Sequence, residues 1–169
     1  MRTRIRGFSL VEVVIAVGIF AVAIVSVLLV LPTLARQTAE SADVLVAQGL
    51  PDAIRSEMRR LAAGGFDGFA ANVPVMTGDV TEGYRLAAAR EGVRVSSLVE
   101  DNGELVADER YFAIELWRFA APPLAFVNAQ SGALAVHVRV SWPERVPGAP
   151  RATTLEEREQ LTFVVAINR

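Results

Sequence analysis

The sequence predicts an α+β fold: one long N-terminal helix, membrane-spanning in its first half and amphipathic in its second, packed on a C-terminal antiparallel β-sheet. Three observations predict it. An uncharged apolar run extends from Val13 to Leu31, helical spacing persists beyond it, and the apolar period switches to two from Val93 onward. The chain has 169 residues, 52% of them hydrophobic, and a mean hydropathy of +0.35. That is room for one membrane segment and one modest globular domain.

The apolar run comes first. Of the 19 residues from Val13 to Leu31, 14 are Val, Ile, Leu or Phe, diluted only by Gly18, Ser26 and alanines. As a helix this run crosses a hydrocarbon core. It favours insertion by roughly 4 to 8 kcal/mol on an insertion scale, more than enough to carry the one acidic residue, Glu12, at its edge. Arg2, Arg4 and Arg6 precede the run, whereas Arg36 is followed by Glu40 and Asp43. The positive-inside bias therefore places the N-terminus in the cytoplasm and the remainder in the periplasm. A secretory signal peptide competes on pattern, but its apolar region is usually about 7 to 15 residues, shorter than this one, and Thr33-Leu34-Ala35 is a mediocre cleavage site.

The helical pattern continues through Leu34, Thr38, Ser41, Leu45, Gly49, Ile54, Met58 and Leu61. Pro32 and Gly49-Leu50-Pro51 are expected to kink it and Gly64-Gly65 to end it, giving an interrupted helix of about 85 Å. The stripe around Met58 suits a core face against the domain's own sheet better than a partner surface. Residues 64 to 92, rich in glycine and lacking a period, read as a long connecting loop. Val93–Glu100 and Glu104–Val106 flank Asp101-Asn102-Gly103, a hairpin turn signal. Phe112, Ile114 and Leu116, then Leu134, Val136, Val138 and Val140, then Leu161, Phe163, Val165 and Ile167 alternate as half-buried strands, with a Pro-rich turn from Pro143 to Pro150 between the last two.

The segment Arg6-Gly7-Phe8-Ser9-Leu10-Val11-Glu12-Val13-Val14-Ile15 resembles the prepilin signature of type IV pilins and type II secretion pseudopilins. The resemblance covers about the first thirty residues, and the layout behind it is pilin-like. It implies a leader at 1–7, an assembly and transmembrane helix at 8–31, an amphipathic extension at 32–63 and a periplasmic globular domain at 64–169. It also implies that a prepilin peptidase cuts between Gly7 and Phe8, that Phe8 becomes the N-methylated terminus, and that Glu12 sets register during assembly. The implied partners are other pilin or pseudopilin subunits, the peptidase, an inner-membrane assembly platform and, before assembly, membrane lipid. The stretch Val138-Arg139-Val140-Ser141-Trp142-Pro143 and the closing strand resemble the end of I-type minor pseudopilins and related minor pilins.

Two residue-level arguments accompany the resemblance. Glycine at position 7 lets a protease approach the backbone closely. Glu12, in the first turns of an apolar helix, requires a cationic partner, a favourable helix dipole or a path to the headgroups. The partner implied by the family is the processed amine of Phe8.

Other chemistry is weakly signalled. Without cysteine there is no disulfide, thiolate zinc site or cysteine nucleophile. All 17 basic residues are Arg against 19 Asp and Glu, which gives nucleic-acid binding no support. His137, the only histidine, reads as an exposed structural residue on the polar face of a strand. The cluster Glu100, Asp101, Asn102 and Glu104 lacks calcium-loop spacing and reads as a solvated turn. Glu156-Glu157-Arg158-Glu159 reads as a solvated lead-in, and Trp117 and Trp142 as core covers. No cofactor and no enzymatic activity are expected. The competing reading is a membrane-anchored periplasmic binding or enzymatic domain that uses the helix only as a tether.

Overall fold

The computed structural model describes residues 9–77, 82–98, 105–127, 131–145 and 152–169, without the side chain of Arg36. The chain divides at Ala42/Asp43 into two compact units.

Helix α1 runs from Leu10 to Ala62. Up to Ala42 it is, apart from Ser9, the whole described content of the first unit, and its described side chains there are exposed, including Leu10 through Leu34. The expected interruptions at Pro32 and at Gly49-Leu50-Pro51 do not occur, because the helix is continuous through both. A proline inside a helix costs about 3 kcal/mol. Leu50 and Ile54, fully buried on either side of Pro51, offset that with about 1.5 to 3 kcal/mol each. Around Pro32 the run is apolar, and in lipid the backbone has no alternative to its own hydrogen bonds.

The second unit, Asp43–Arg169, holds the core. Ala47, Leu50, Ile54, Met58 and Leu61 recur every three or four residues along α1 and are buried. The core-face reading of Met58 therefore holds. The stripe expected upstream does not, since Leu45 is exposed while Asp43 and Ala47 are buried. The helix stops where expected: the amide of Gly65 donates to the Ala62 carbonyl at 3.0 Å, and Gly65 takes φ +147, a conformation that side-chain-bearing residues rarely adopt.

The expected long loop at 64–92 is instead structured. Helix α2, Phe66–Asn72, buries Phe69 and Ala70, and strand β1, Tyr84–Ala88, lies in the sheet. Strand β2 is only Val95–Ser97 and pairs back onto β1, with Leu86 opposite Ser97. Leu105 and Val106 lie outside any strand, so the expected forward pairing of Val93–Glu100 with Glu104–Val106 is not present among the described residues. The turn at Asp101-Asn102-Gly103 lies outside them. The connection that does form is Ala89–Arg94, where Gly92 (φ +69) donates to the Ala89 carbonyl at 2.9 Å.

Strands β3 (Phe112–Arg118), β4 (Ala133–Trp142) and β5 (Glu159–Asn168) follow the predicted alternation. The five strands form one antiparallel sheet in the order β2-β1-β3-β4-β5. Ile114 faces Val140, and Val138 faces both Leu116 and Phe163. Tyr84, Leu86, Phe112, Ile114, Leu116, Leu134, Val136, Val138, Val140, Val165 and Ile167 join Leu50, Ile54 and Met58 in one core. Phe112 packs on Trp142 with ring centroids 5.7 Å apart, and Phe69 meets Tyr84 edge-on at 5.6 Å. This is the α+β layout the sequence predicts.

Candidate functional site

Gly7 and Phe8, the expected processing site, lie outside the described residues, as do Arg2, Arg4 and Arg6. The described residues begin at Ser9, which caps α1. Its amide and hydroxyl donate to Oε2 of Glu12 at 2.8 and 3.0 Å, while the amide of Glu12 donates to Oγ of Ser9 at 3.2 Å. This is a reciprocal capping box, with the acid also at the positive end of the helix dipole. Its signature, Ser9-Leu10-Val11-Glu12, stands in the sequence and sequence reasoning missed it. The helix-end acid weighed for Glu12 is thus present in the free chain. Among the described residues, Oε1 of Glu12 has no hydrogen-bond partner.

Behind the cap, α1 is long and apolar enough to cross a membrane, and none of its most apolar stretch is buried in the protein. Ser26, the one hydroxyl in that stretch, donates to the Val22 carbonyl at 2.8 Å, so it presents no unsatisfied donor to lipid. No Cβ added at Gly18 would meet an atom within 4 Å, leaving a smooth patch on the helix.

The other candidates are placed as follows. Trp142 lies in the core, as expected. Trp117, also buried, lies on the opposite sheet face, under the Arg139 guanidinium at 4.9 Å and 6.1 Å from the His137 ring. His137 is half-buried rather than exposed, its Nδ1 has no hydrogen-bond partner among the described residues, and burial followed by the Arg139 charge lowers its pKa. Glu156 and Glu157 belong to a short 3-10 turn, Leu155–Glu157, closed by a capping box between Thr154 and Glu157. Arg158 turns in to donate to Thr153 and Ser141. The cluster Glu100, Asp101, Asn102 and Glu104 lies outside the described residues. Among the described residues no group of His, Asp or Glu is arranged to hold a metal.

Sequence reasoning also missed a part-buried polar cluster at the start of the second unit, built around the buried Asp43. Asp43 on α1 accepts from Nε and Nη2 of Arg90, both at 3.1 Å, and from the Tyr111 hydroxyl at 2.6 Å. The Arg90 guanidinium lies 4.8 Å from the Tyr111 ring centroid. The bond to Asp43 raises the Arg90 pKa, and burial together with that carboxylate pushes Tyr111 up to about 12. Partners 47 and 68 residues away along the chain leave no local signal.

Residues 2–29 match the family model described as the prokaryotic N-terminal methylation motif. No curated protein and no solved structure matches the chain. The motif opens an apolar helix long enough to span a membrane, and that helix leads into an antiparallel sheet, which together give an α+β, pilin-like layout.

Proposed function

We propose that the chain is a minor pseudopilin or minor pilin, a structural subunit that enters a filament through its N-terminal helix. The methylation motif at residues 2–29 carries this reading. On it, prepilin peptidase removes residues 1–7 and methylates the amine of Phe8. The helix anchors the chain in the inner membrane with its N-terminus cytoplasmic and its domain periplasmic. An assembly platform then transfers it among other pilin or pseudopilin subunits.

The physical logic lies in what processing changes. The leader contains three of the 17 arginines, so the mature chain holds 14 Arg against 19 acids, a balance of −5. Losing that basic anchor lowers the barrier to drawing the helix out of the bilayer. Helix packing then replaces lipid around the apolar run, which in water would leave its whole surface exposed. Glu12 holds Ser9 through Oε2 and keeps Oε1 for the ammonium of Phe8 on its own or a neighbouring chain, a pairing that fixes axial register in an apolar setting.

Intact mass of membrane-extracted protein tests the reading. A start at Phe8 carrying one methyl group is expected, and Gly7→Leu should leave the chain uncut and out of filaments. Functional material that still begins at Met1, or an uncut Gly7→Leu chain that assembles normally, refutes it.

A further inference from the structure

The sheet face turned away from α1 carries a cleft of about 220 Å³, and its lining includes Arg85, Glu115, Arg139, Arg158, Leu98 and Leu155. Arg85, Glu115 and Arg139 form a cross-strand row, since Glu115 on β3 lies opposite both Arg85 on β1 and Arg139 on β4. Glu115 pairs with one of them only. Its Oε2 accepts from Nε and Nη2 of Arg139 at 3.0 and 2.6 Å, and Trp117 lies beneath that guanidinium. Arg85 is exposed, and among the described residues its side chain makes no hydrogen bond or ion pair. Arg158 is held by neutral acceptors, donating to Oγ1 of Thr153 at 2.9 Å, to its carbonyl at 2.7 Å and to Oγ of Ser141 at 3.4 Å. Among the described residues, two guanidinium groups without a bound carboxylate thus share the cleft with one exposed acid, Glu82, and the Arg139–Glu115 pair.

Charge and volume together select the occupant. Guanidinium groups recognise planar carboxylates through paired N–H donors, and Arg158, already fixed, loses little freedom on binding. Leu98 and Leu155 supply apolar wall that shields such a pair from water. Small-molecule sites usually have about 300 to 1,000 Å³. At about 220 Å³ this cleft suits a side chain or two rather than a cofactor.

We propose that the cleft receives an aspartate or glutamate side chain of a neighbouring subunit in the filament. This rests on the filament reading above. The contact adds specificity and register at the domain surface, where rim charges discriminate partners more than they add affinity.

The chain contains no lysine, which makes a direct test available. Arg85→Lys keeps the cation and introduces the only side-chain amine. In cells assembling filaments, carbodiimide joins that amine to a carboxylate in contact with it: an amide forms at the carboxyl carbon, and the displaced oxygen leaves with the carbodiimide as a urea. The expected result is an adduct to Asp or Glu of a different chain, located by peptide mass spectrometry. Arg85→Glu should lower the share of the chain recovered in filaments by about tenfold or more; Arg85→Gln, which removes the cation without setting a second carboxylate opposite Glu115, should lower it too with thermal unfolding unchanged, because among the described residues the Arg85 side chain has no bonded partner to lose. An adduct confined to Glu82 or Glu115 of the same chain, no adduct at all, or wild-type recovery of Arg85→Glu overturns the proposal. Intact mass of the same samples separates the two readings. Chains starting at Phe8 that assemble without an interchain adduct overturn only the cleft contact, whereas chains starting at Met1 and absent from filaments overturn the filament reading and with it the contact.

Discussion

Replacing Asp43 by alanine should destabilise the second unit, and the structure sets the magnitude. The Asp43 side chain is 11% exposed and accepts three charge-assisted or phenolic hydrogen bonds from Arg90 and Tyr111. Breaking a fully buried ion pair costs about 3 to 5 kcal/mol, and losing hydrogen bonds to a charged group about 1.5 to 3 kcal/mol. The Arg90 side chain is 55% exposed, so it rehydrates when Asp43 is removed, and the lower range applies. About 2 kcal/mol is expected for Asp43→Ala, and about half of that for Asp43→Asn, whose amide oxygen still accepts. For a unit the size of Asp43–Arg169, each kcal/mol corresponds to roughly 3 to 5 °C, so Asp43→Ala should lower Tm by about 6 to 10 °C. Circular dichroism melting of the full chain in detergent measures this. A decrease below about 2 °C would show that the cluster does not hold helix to sheet. The double variant Asp43→Ala/Arg90→Ala should cost less than the sum of its parts, because the two singles break the same contacts.

Three further outcomes follow from local geometry. Gly92→Ala puts a Cβ at φ +69 and 2.6 Å from Cγ1 of Val46, on the helix, so it should cost about 2 kcal/mol or more in the same melting assay. Gly83→Ala brings a Cβ to 2.8 Å from Cε2 of Trp117 and 3.0 Å from Cβ of Glu115, and a loss of about 1 to 3 kcal/mol should appear together with a shifted Trp fluorescence. His137 has a folded pKa below its ordinary 6.5, from burial and then from Arg139, so protonation favours the unfolded state. Stability is full above about pH 6.5 and declines as pH falls from there towards the folded pKa, a slope that His137→Gln should flatten in pH-dependent melts; an imidazole titrating at or above 6.5 by NMR would contradict this.

What the sequence disclosed follows from the range of each signal. The N-terminal span and strands β3, β4 and β5 were legible because their residues repeat a period that one face of one element enforces, as in Leu134, Val136, Val138 and Val140. Strand β1 escaped because it ends in Ala87 and Ala88 and runs on into Ala89, residues that are small on both faces and flatten the alternation, although all three are buried. Strand β2 was misassigned for a related reason: Asn102-Gly103 is a strong turn signal, yet β2 pairs back across Ala89–Arg94, a turn marked only by Gly92. Along α1 the apolar residues Leu34 and Leu45 suggested a face that the core does not use. The buried face there starts at Asp43, a charged residue, and only partners elsewhere in the fold make its burial tolerable. The same reasoning divides the candidate sites. Glu12 was visible because a carboxylate at the edge of an apolar run is anomalous on its own. Arg85 became notable only once the register placed it beside a glutamate that another arginine already occupies, since a lone arginine on a strand carries no information until its neighbours are known.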